Sequence, residues 1–314
     1  MTNEENEKML LLKQMCVLFA IMLIGLYAYK KSIIDDASCK KLSGIVVKIA
    51  NPALVLSSIT GDTRIPKDQF FKTFLTAVLV YAVLLVLAKI VPMLLRVKRD
   101  EQGVYKAMIV FSNIGFMGFP VVNAVYGPDA LLYASLFMIP YNVLIYTYGI
   151  SAMRHTEEKK GMRELLRSIF NVGTVFCCIA IALYLFDVHI PEVPAQIIDT
   201  LGGLTAPLSM MVIGASFANM NMKELFTDGK LIIFSVIKLL LIPVAGLFVL
   251  HYAITDPKLY GVLLVMLATP VGSMTAMLAQ EYDGNYSLAS RGVAITTILS
   301  IVTMPLVSAV TALF

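Results

Sequence analysis

The sequence predicts an all-α polytopic membrane protein, ten transmembrane helices arranged as two inverted five-helix repeats, and three observations predict it. The 314 residues are 58% hydrophobic and 15% charged, with a mean hydropathy of +0.81, and the apolar residues gather into repeated runs long enough to cross a bilayer. Two of those runs, around 112–127 and 268–275, are interrupted by glycine and proline where a membrane helix should be uniformly apolar. The two halves of the chain also match at an offset of about 155 residues.

Taken in order, the spans fall at about 9–29, 42–59, 70–95, 104–125 and 130–153, then at about 165–187, 194–219, 229–253, 258–281 and 286–313. The first residues are acidic, with no basic leader region and no small-residue cleavage site after the first apolar run. That run therefore reads as a permanent span and not a cleaved signal. Span two carries Asn51-Pro52, with Ser57 and Ser58 one to two turns on. Asp68 and Gln69 open span three as surface polar residues, and a polar segment at 154–164 separates the halves.

Lys and Arg in the loops set the orientation. Lys30, Lys31, Lys40, Lys41, Arg96, Lys98, Arg99, Lys106, Arg154, Lys159, Lys160, Arg163, Arg167, Lys223 and Lys230 follow the odd-numbered spans. Only Lys8, Lys13, Arg64, Lys67, Lys72 and Lys258 lie on the other face. With ten spans this puts both termini on the extracytoplasmic side of the cell membrane and the 154–164 segment inside. Cys16, Cys39, Cys177 and Cys178 show neither a disulfide framework nor metal-ligand spacing. The net charge of +4 resides in short loops and carries no nucleic-acid signal.

The repeat pairs Pro52 with Pro207, the segment from Lys67 with that from Met222, and Val104-Tyr105 with Leu259-Tyr260. The organisation is thus 1–155 followed by 156–314. Five spans per unit make the second unit enter the membrane inverted, the sequence mark of a secondary transporter. The interruptions then become partners: span four breaks within Gly115, Gly118 and Pro120, and span nine at Thr269-Pro270-Val271-Gly272. Irregular backbone is tolerated at membrane depth only where protein buries it or a watery cavity borders it. Half-helix N-termini after Pro120 and Pro270, crossing at the midplane, would offer free N–H groups and partial positive charge to a carboxylate.

Lys238 is the deepest charge in the sequence, roughly 13 Å into span eight at 1.5 Å per residue. Its ammonium attracts an anionic substrate, or takes part in proton coupling, or pairs structurally with a carboxylate such as Glu281. Lys48, Lys89 and Arg291 lie nearer span ends, where they can snorkel. Gln280 and Glu281, with Asp283, close span nine; their oxygens suit a coupling cation or proton, against the plainer role of solvated helix-end residues. His155, His189 and His251 sit in loops or at span ends. No catalytic dyad, metal cluster or phosphate loop is present in the sequence, so an enzyme is not expected.

Asn113-Ile114-Gly115-Phe116-Met117-Gly118-Phe119-Pro120, together with Asn51-Pro52, Tyr141-Asn142 and Thr269-Pro270, resembles the signature of the auxin efflux carrier family. That family includes plant auxin exporters and bacterial permeases for malate, malonate and related acids. The resemblance implies the ten-helix fold shared with bile-acid sodium symporters. In that fold 9–59 with 165–219 form a scaffold that often dimerises, and 70–153 with 229–313 form the moving transport unit. The resemblance supports substrate contact at Asn113; from their places in the spans, Pro120, Asn142, Thr269, Pro270 and Ser273 are expected to contact the substrate too, Asn142 with interhelical hydrogen bonding as the equal alternative, while Lys238 adds positive potential and Asn51, Ser57 and Ser58 lie on a scaffold-side path. The short 154–164 segment departs from the long loop of plant exporters and favours a bacterial-type organic-acid permease. The expected partners are a small organic acid, the lipid bilayer and a second copy of the chain; no cofactor is expected beyond H+ or Na+ as a coupling ion. A sodium-coupled bile-acid-type symporter, an exporter of auxin-like aromatic acids and an anion channel are the alternatives.

Overall fold

A computed structural model describes residues 3–60, 66–153, 170–218, 225–282 and 284–311. The 154–164 segment with His155, as well as Lys223 and Asp283, lies outside the described residues, and so does the side chain of Glu281. Among the described residues the chain is all-helical. The helices are α1 (Asn3–Lys30), α2 (Asp36–Ile59), α3 (Lys67–Leu94), α4 (Gln102–Val110), α5 (Ile114–Tyr126) and α6 (Ala130–Met153). They continue as α7 (Val172–Leu185), α8 (Glu192–Ser216), α9 (Gly229–Tyr252), α10 (Pro257–Ala268), α11 (Ser273–Glu281) and α12 (Tyr286–Thr311).

Six of these, α2, α3, α6, α8, α9 and α12, are long and apolar enough to cross a membrane. Shorter apolar helices, Cys16–Lys30, Ile114–Tyr126, Val172–Leu185 and Pro257–Ala268, stand where the sequence predicts the other four spans. One boundary difference is at α2, which begins at Asp36 rather than near 42. Asp35 caps it by accepting from the Ser38 N–H at 2.7 Å, so the polar residues 36–41 extend the helix as a capped first turn.

Prolines inside α2, α5 and α9 are accommodated by one device. Pro52, Pro120 and Pro243 each sit two residues after a widened π turn, at Val46–Ala50, Ile114–Gly118 and Ile237–Leu241. A proline has no N–H for the carbonyl four residues back and its ring collides with that carbonyl. In the wide turn the residue before the proline donates five back instead, Asn51 to Val46 O, Phe119 to Ile114 O and Ile242 to Ile237 O. The helix therefore continues through the proline, with its side chains rotated by the inserted residue.

Polar contacts gather at two opposite ends of the bundle. At one, Tyr133 bonds Gln69 at 2.9 Å and Asp256 at 2.6 Å, and Lys258 pairs with Asp129 at 3.3 Å, which joins the starts of α3, α6 and α10. At the other, the Lys230 ammonium donates to Arg96 O at 2.9 Å and Arg291 lies 3.9 Å from Asp228, which joins the end of α3 to the starts of α9 and α12. The tandem α4–α5 thus runs from the Arg96 end to the Asp129 end, and α10–α11 runs the opposite way. Between the ends, α3 leaves Phe71, Leu75, Leu79, Val83 and Val86 exposed as a stripe at helical spacing, which suits lipid. By contrast α4 and α10 are buried along nearly their whole length.

Helix α1 packs on the second half of α8, and α2 packs on α7 and α8; α4 lies against α3, α9 closes on α10 and α12. The α1–α8 contact needs two glycines: a Cβ on Gly25 would run into the backbone of Met211, and one on Gly214 into the backbone of Met22. Small residues let spanning helices approach this closely. Gly214→Leu is expected to destabilise by at least about 3 kcal/mol, since backbone atoms and not a yielding side chain stand in the way. Gly44→Ala, where nothing lies within 4 Å, should leave stability unchanged or slightly raised; thermal unfolding of the purified variants checks both.

Candidate functional site

The α4–α5 and α10–α11 tandems are interrupted at Phe111–Asn113 and Thr269–Gly272, and the two interruptions face each other. Phe111 and Thr269 are extended, with φ/ψ of −101°/91° and −63°/144°. Ser112 and Val271 form an antiparallel bridge. The Asn113 N–H donates to Pro270 O at 2.7 Å and the Gly272 N–H donates to Phe111 O at 2.8 Å. The Val271 N–H donates to the Thr296 hydroxyl of α12 at 3.1 Å, and that hydroxyl donates on to Gly292 O at 2.7 Å. Phe111, Val271 and Thr296 are fully buried. Backbone polar groups released by one broken helix are satisfied by the other, which meets the requirement that no such group be stranded in an apolar interior.

The break in the first tandem differs in place from the one the glycines and proline predict. Gly115, Gly118 and Pro120 lie inside or just after the π turn of α5, and the chain leaves helical geometry earlier, at Phe111–Asn113. Widening one turn is enough to admit Pro120, so that proline breaks nothing. What opens the helix is the pairing with 270–272, a tertiary contact without a local signal.

Asn113 caps the half-helix that follows: its side-chain oxygen accepts from the Phe116 N–H at 3.3 Å, and the residue is 7% exposed. Half-helix α11 begins beyond Gly272, which lends no side-chain cap. Ser273 and Met274 of its first turn are half-buried, and the Thr275 hydroxyl is buried without a partner. Thr269 spends its hydroxyl on Met266 O at 2.8 Å. On the facing helix the Asn51 side-chain oxygen is buried without a partner, and its amide nitrogen lies 3.5 Å from where a Cβ on Gly115 would stand. Two half-helix N-termini, one capped by Asn113 and the other open, with the Thr275 hydroxyl unpartnered among the described residues and able to donate, form a surface suited to an anion.

Lys238 lies within the π turn of α9 and is fully buried. Its ammonium donates to Ile109 O at 3.0 Å and to the Ser112 hydroxyl at 2.7 Å. Ile109 belongs to the last turn of α4, where carbonyls have no intrahelical partner and the helix dipole is negative. Lys238 thus caps the end of one half-helix and holds the bridging residue; both oxygens are neutral, so these bonds differ from the carboxylate pairing weighed in the sequence.

The other predicted residues are placed as follows. Asn142 donates to Met138 O at 2.9 Å in its own helix and accepts from the Asn171 amide at 3.0 Å, while Asn171 caps α7 by accepting from the Thr174 N–H at 3.1 Å. It ties α6 to α7. Ser57 and Ser58 donate back to Leu54 O and Val55 O, each at 2.7 Å, and close the last turn of α2. Gln280 is exposed near the end of α11. The sequence reading missed Ser112 as the partner of Lys238, Asn171 as the partner of Asn142, and Thr296 as the acceptor for the Val271 N–H. Ser112 stood in the highlighted stretch; Thr296 and Asn171 carry no local signal, since each acts only through a distant helix.

The chain matches the family model described as "Membrane transport protein" over residues 10–165 and 161–308. It is similar to an uncharacterized transporter of Methanocaldococcus jannaschii, 23% identical over 301 residues that cover 92% of this chain and 95% of that protein. A second uncharacterized transporter, from Methanothermobacter thermautotrophicus, is 21% identical over 301 residues with the same coverage.

Gly272 is the tightest position of the crossing, because a Cβ there would lie 3.0 Å from Ser112 O and 3.3 Å from Phe111 O. Gly272→Val should push the bridge apart and cost about 1–3 kcal/mol. Ser112→Ala should cost less, about 1 kcal/mol, because Ile109 O still holds Lys238. Thermal unfolding that ranks the two variants in the reverse order would contradict this geometry.

Proposed function

The chain belongs to the membrane transport protein family, the auxin efflux carriers, and we propose that it is a secondary transporter moving a small organic anion across the cytoplasmic membrane by alternating access. The substrate class is a mono- or dicarboxylate such as malate or malonate. One observation carries the reading: two antiparallel broken helices meet backbone to backbone and turn two half-helix N-termini and a buried ammonium toward one crossing. A carboxylate there accepts from N–H groups at a positive dipole end without a stranded countercharge.

In this reading the six long apolar helices, α1, α7 and the two broken tandems make ten crossings, as two inverted repeats with both termini outside. The Arg96 end, rich in Lys and Arg, is cytoplasmic. Helices α1, α2, α7 and α8 are the scaffold and the surface for a second copy; α3–α6 and α9–α12 move. Asn113 contacts the substrate through the half of its amide that the cap leaves available, with Pro120, Thr269, Pro270 and Ser273 shaping the crossing and Asn51 lining it from the scaffold. Rocking of the moving unit separates α6 from α7, so the Asn142–Asn171 hydrogen bond is one that transport has to break.

Uptake of labelled malonate and malate by proteoliposomes tests the reading, and unlabelled acid inside should accelerate entry, as a carrier requires and a channel does not. Asn113→Asp keeps a capping oxygen but places a carboxylate at the crossing. It should lower uptake efficiency by at least tenfold, about 1.4 kcal/mol, with little change in melting temperature. Uptake by Asn113→Asp at the wild-type rate would remove the crossing as the binding site.

A further inference from the structure

We infer that the Lys238 ammonium is a tethered cation, held where a transporter of this geometry would otherwise bind a sodium ion, so that this protein works without sodium; the inference rests on the transport reading above. Broken-helix transporters coordinate their coupling cation with carbonyls at half-helix C-termini and oxygens of the unwound segment. Lys238 has that ligand set. Ile109 O comes from the last turn of α4, Ser112 Oγ from the unwound residues beyond it, and the ammonium reaches both from a different helix, at 3.0 and 2.7 Å. Carbonyl and hydroxyl oxygens are the ligands that hard cations take from proteins.

Burial sharpens the argument. Lys238 is 0% exposed, and both of these bonds go to neutral oxygens, so its amino group is held out of water without an ion pair at either bond. The charge is retained at one place, the negative end of α4 beside the bridge, where a mobile cation would balance the same dipole. The ion pairs Lys258–Asp129 and Arg291–Asp228 lie at the two polar ends of the bundle, away from the crossing. The π turn that places Lys238 exists to admit Pro243. A covalently supplied cation cannot be released on either side, so it supplies charge without coupling transport to a sodium gradient.

The test uses the full-length protein, purified and reconstituted, as wild type, Lys238→Met and Lys238→Ala. Melting temperature is read in sodium, potassium and choline chloride at equal ionic strength, and malonate uptake is read in sodium and in choline. The tethered cation predicts no sodium response in the wild type and a lower melting temperature for both variants. It predicts that Lys238→Ala regains stability with propylammonium, but not with uncharged propanol, and that the wild type ignores both. A sodium-specific rise in the melting temperature or uptake of the wild type overturns the inference. So does a Lys238→Met protein as stable as the wild type together with a Lys238→Ala protein indifferent to alkylammonium ions. Should Lys238→Ala fail to fold, the wild-type salt comparison and Lys238→Met decide alone. Absence of malonate uptake with every cation result as predicted overturns the transport reading and leaves the tethered cation standing; sodium-dependent uptake does the reverse.

Discussion

Backbone amides and carbonyls released inside an apolar slab must find partners there, and the whole arrangement around the crossing follows from how two broken helices meet that demand together. Asn113 N–H to Pro270 O and Gly272 N–H to Phe111 O are ordinary hydrogen bonds, each worth about 0.5–1.5 kcal/mol net. Their weight lies in the alternative, since an unpaired group in hydrocarbon costs several kcal/mol. Neither break is affordable alone. Once paired, they oblige neighbouring elements to satisfy what is left: Thr296 takes the Val271 N–H, Lys238 takes the Ile109 carbonyl, and Asn113 folds back on the Phe116 N–H.

Prolines serve two ends in this chain, and the difference explains which parts of the structure could be read in advance. Where a widened turn absorbs the missing N–H, as before Pro52, Pro120 and Pro243, the helix continues and its side chains shift around the axis. Where Pro270 is followed by Gly272 and faces a partner strand of backbone, the helix ends. Local composition marks both cases alike. The sequence therefore pointed to the right stretches, and to Thr269-Pro270 as a true break, yet set the first break several residues too late, at Pro120 and not at Phe111–Asn113.

The apolar runs, their order and the paired interruptions were legible because each is a property of contiguous residues. Lys238 was legible as an anomaly, a charge too deep to snorkel, but its partners were not, because Ile109 and Ser112 lie 129 and 126 residues away and one contributes only a backbone carbonyl. Asn142 illustrates the reverse: its place in a span allowed either ligand contact or an interhelical hydrogen bond, and its oxygen accepts from Asn171 while its amide donates to Met138 O. Interhelical hydrogen bonds of that kind depend on which helices become neighbours.

The central claim is that the two half-helix N-termini at the crossing bind the anion. Hydrogen exchange read by mass spectrometry on the reconstituted protein, with and without malonate, addresses it most directly, because an anion seated on free N–H groups slows their exchange. The account predicts malonate-dependent protection in peptides covering 112–118 and 271–276, with the lipid-facing stripe of α3 unchanged. Protection confined to other helices, or none at malonate concentrations that drive uptake, would contradict it.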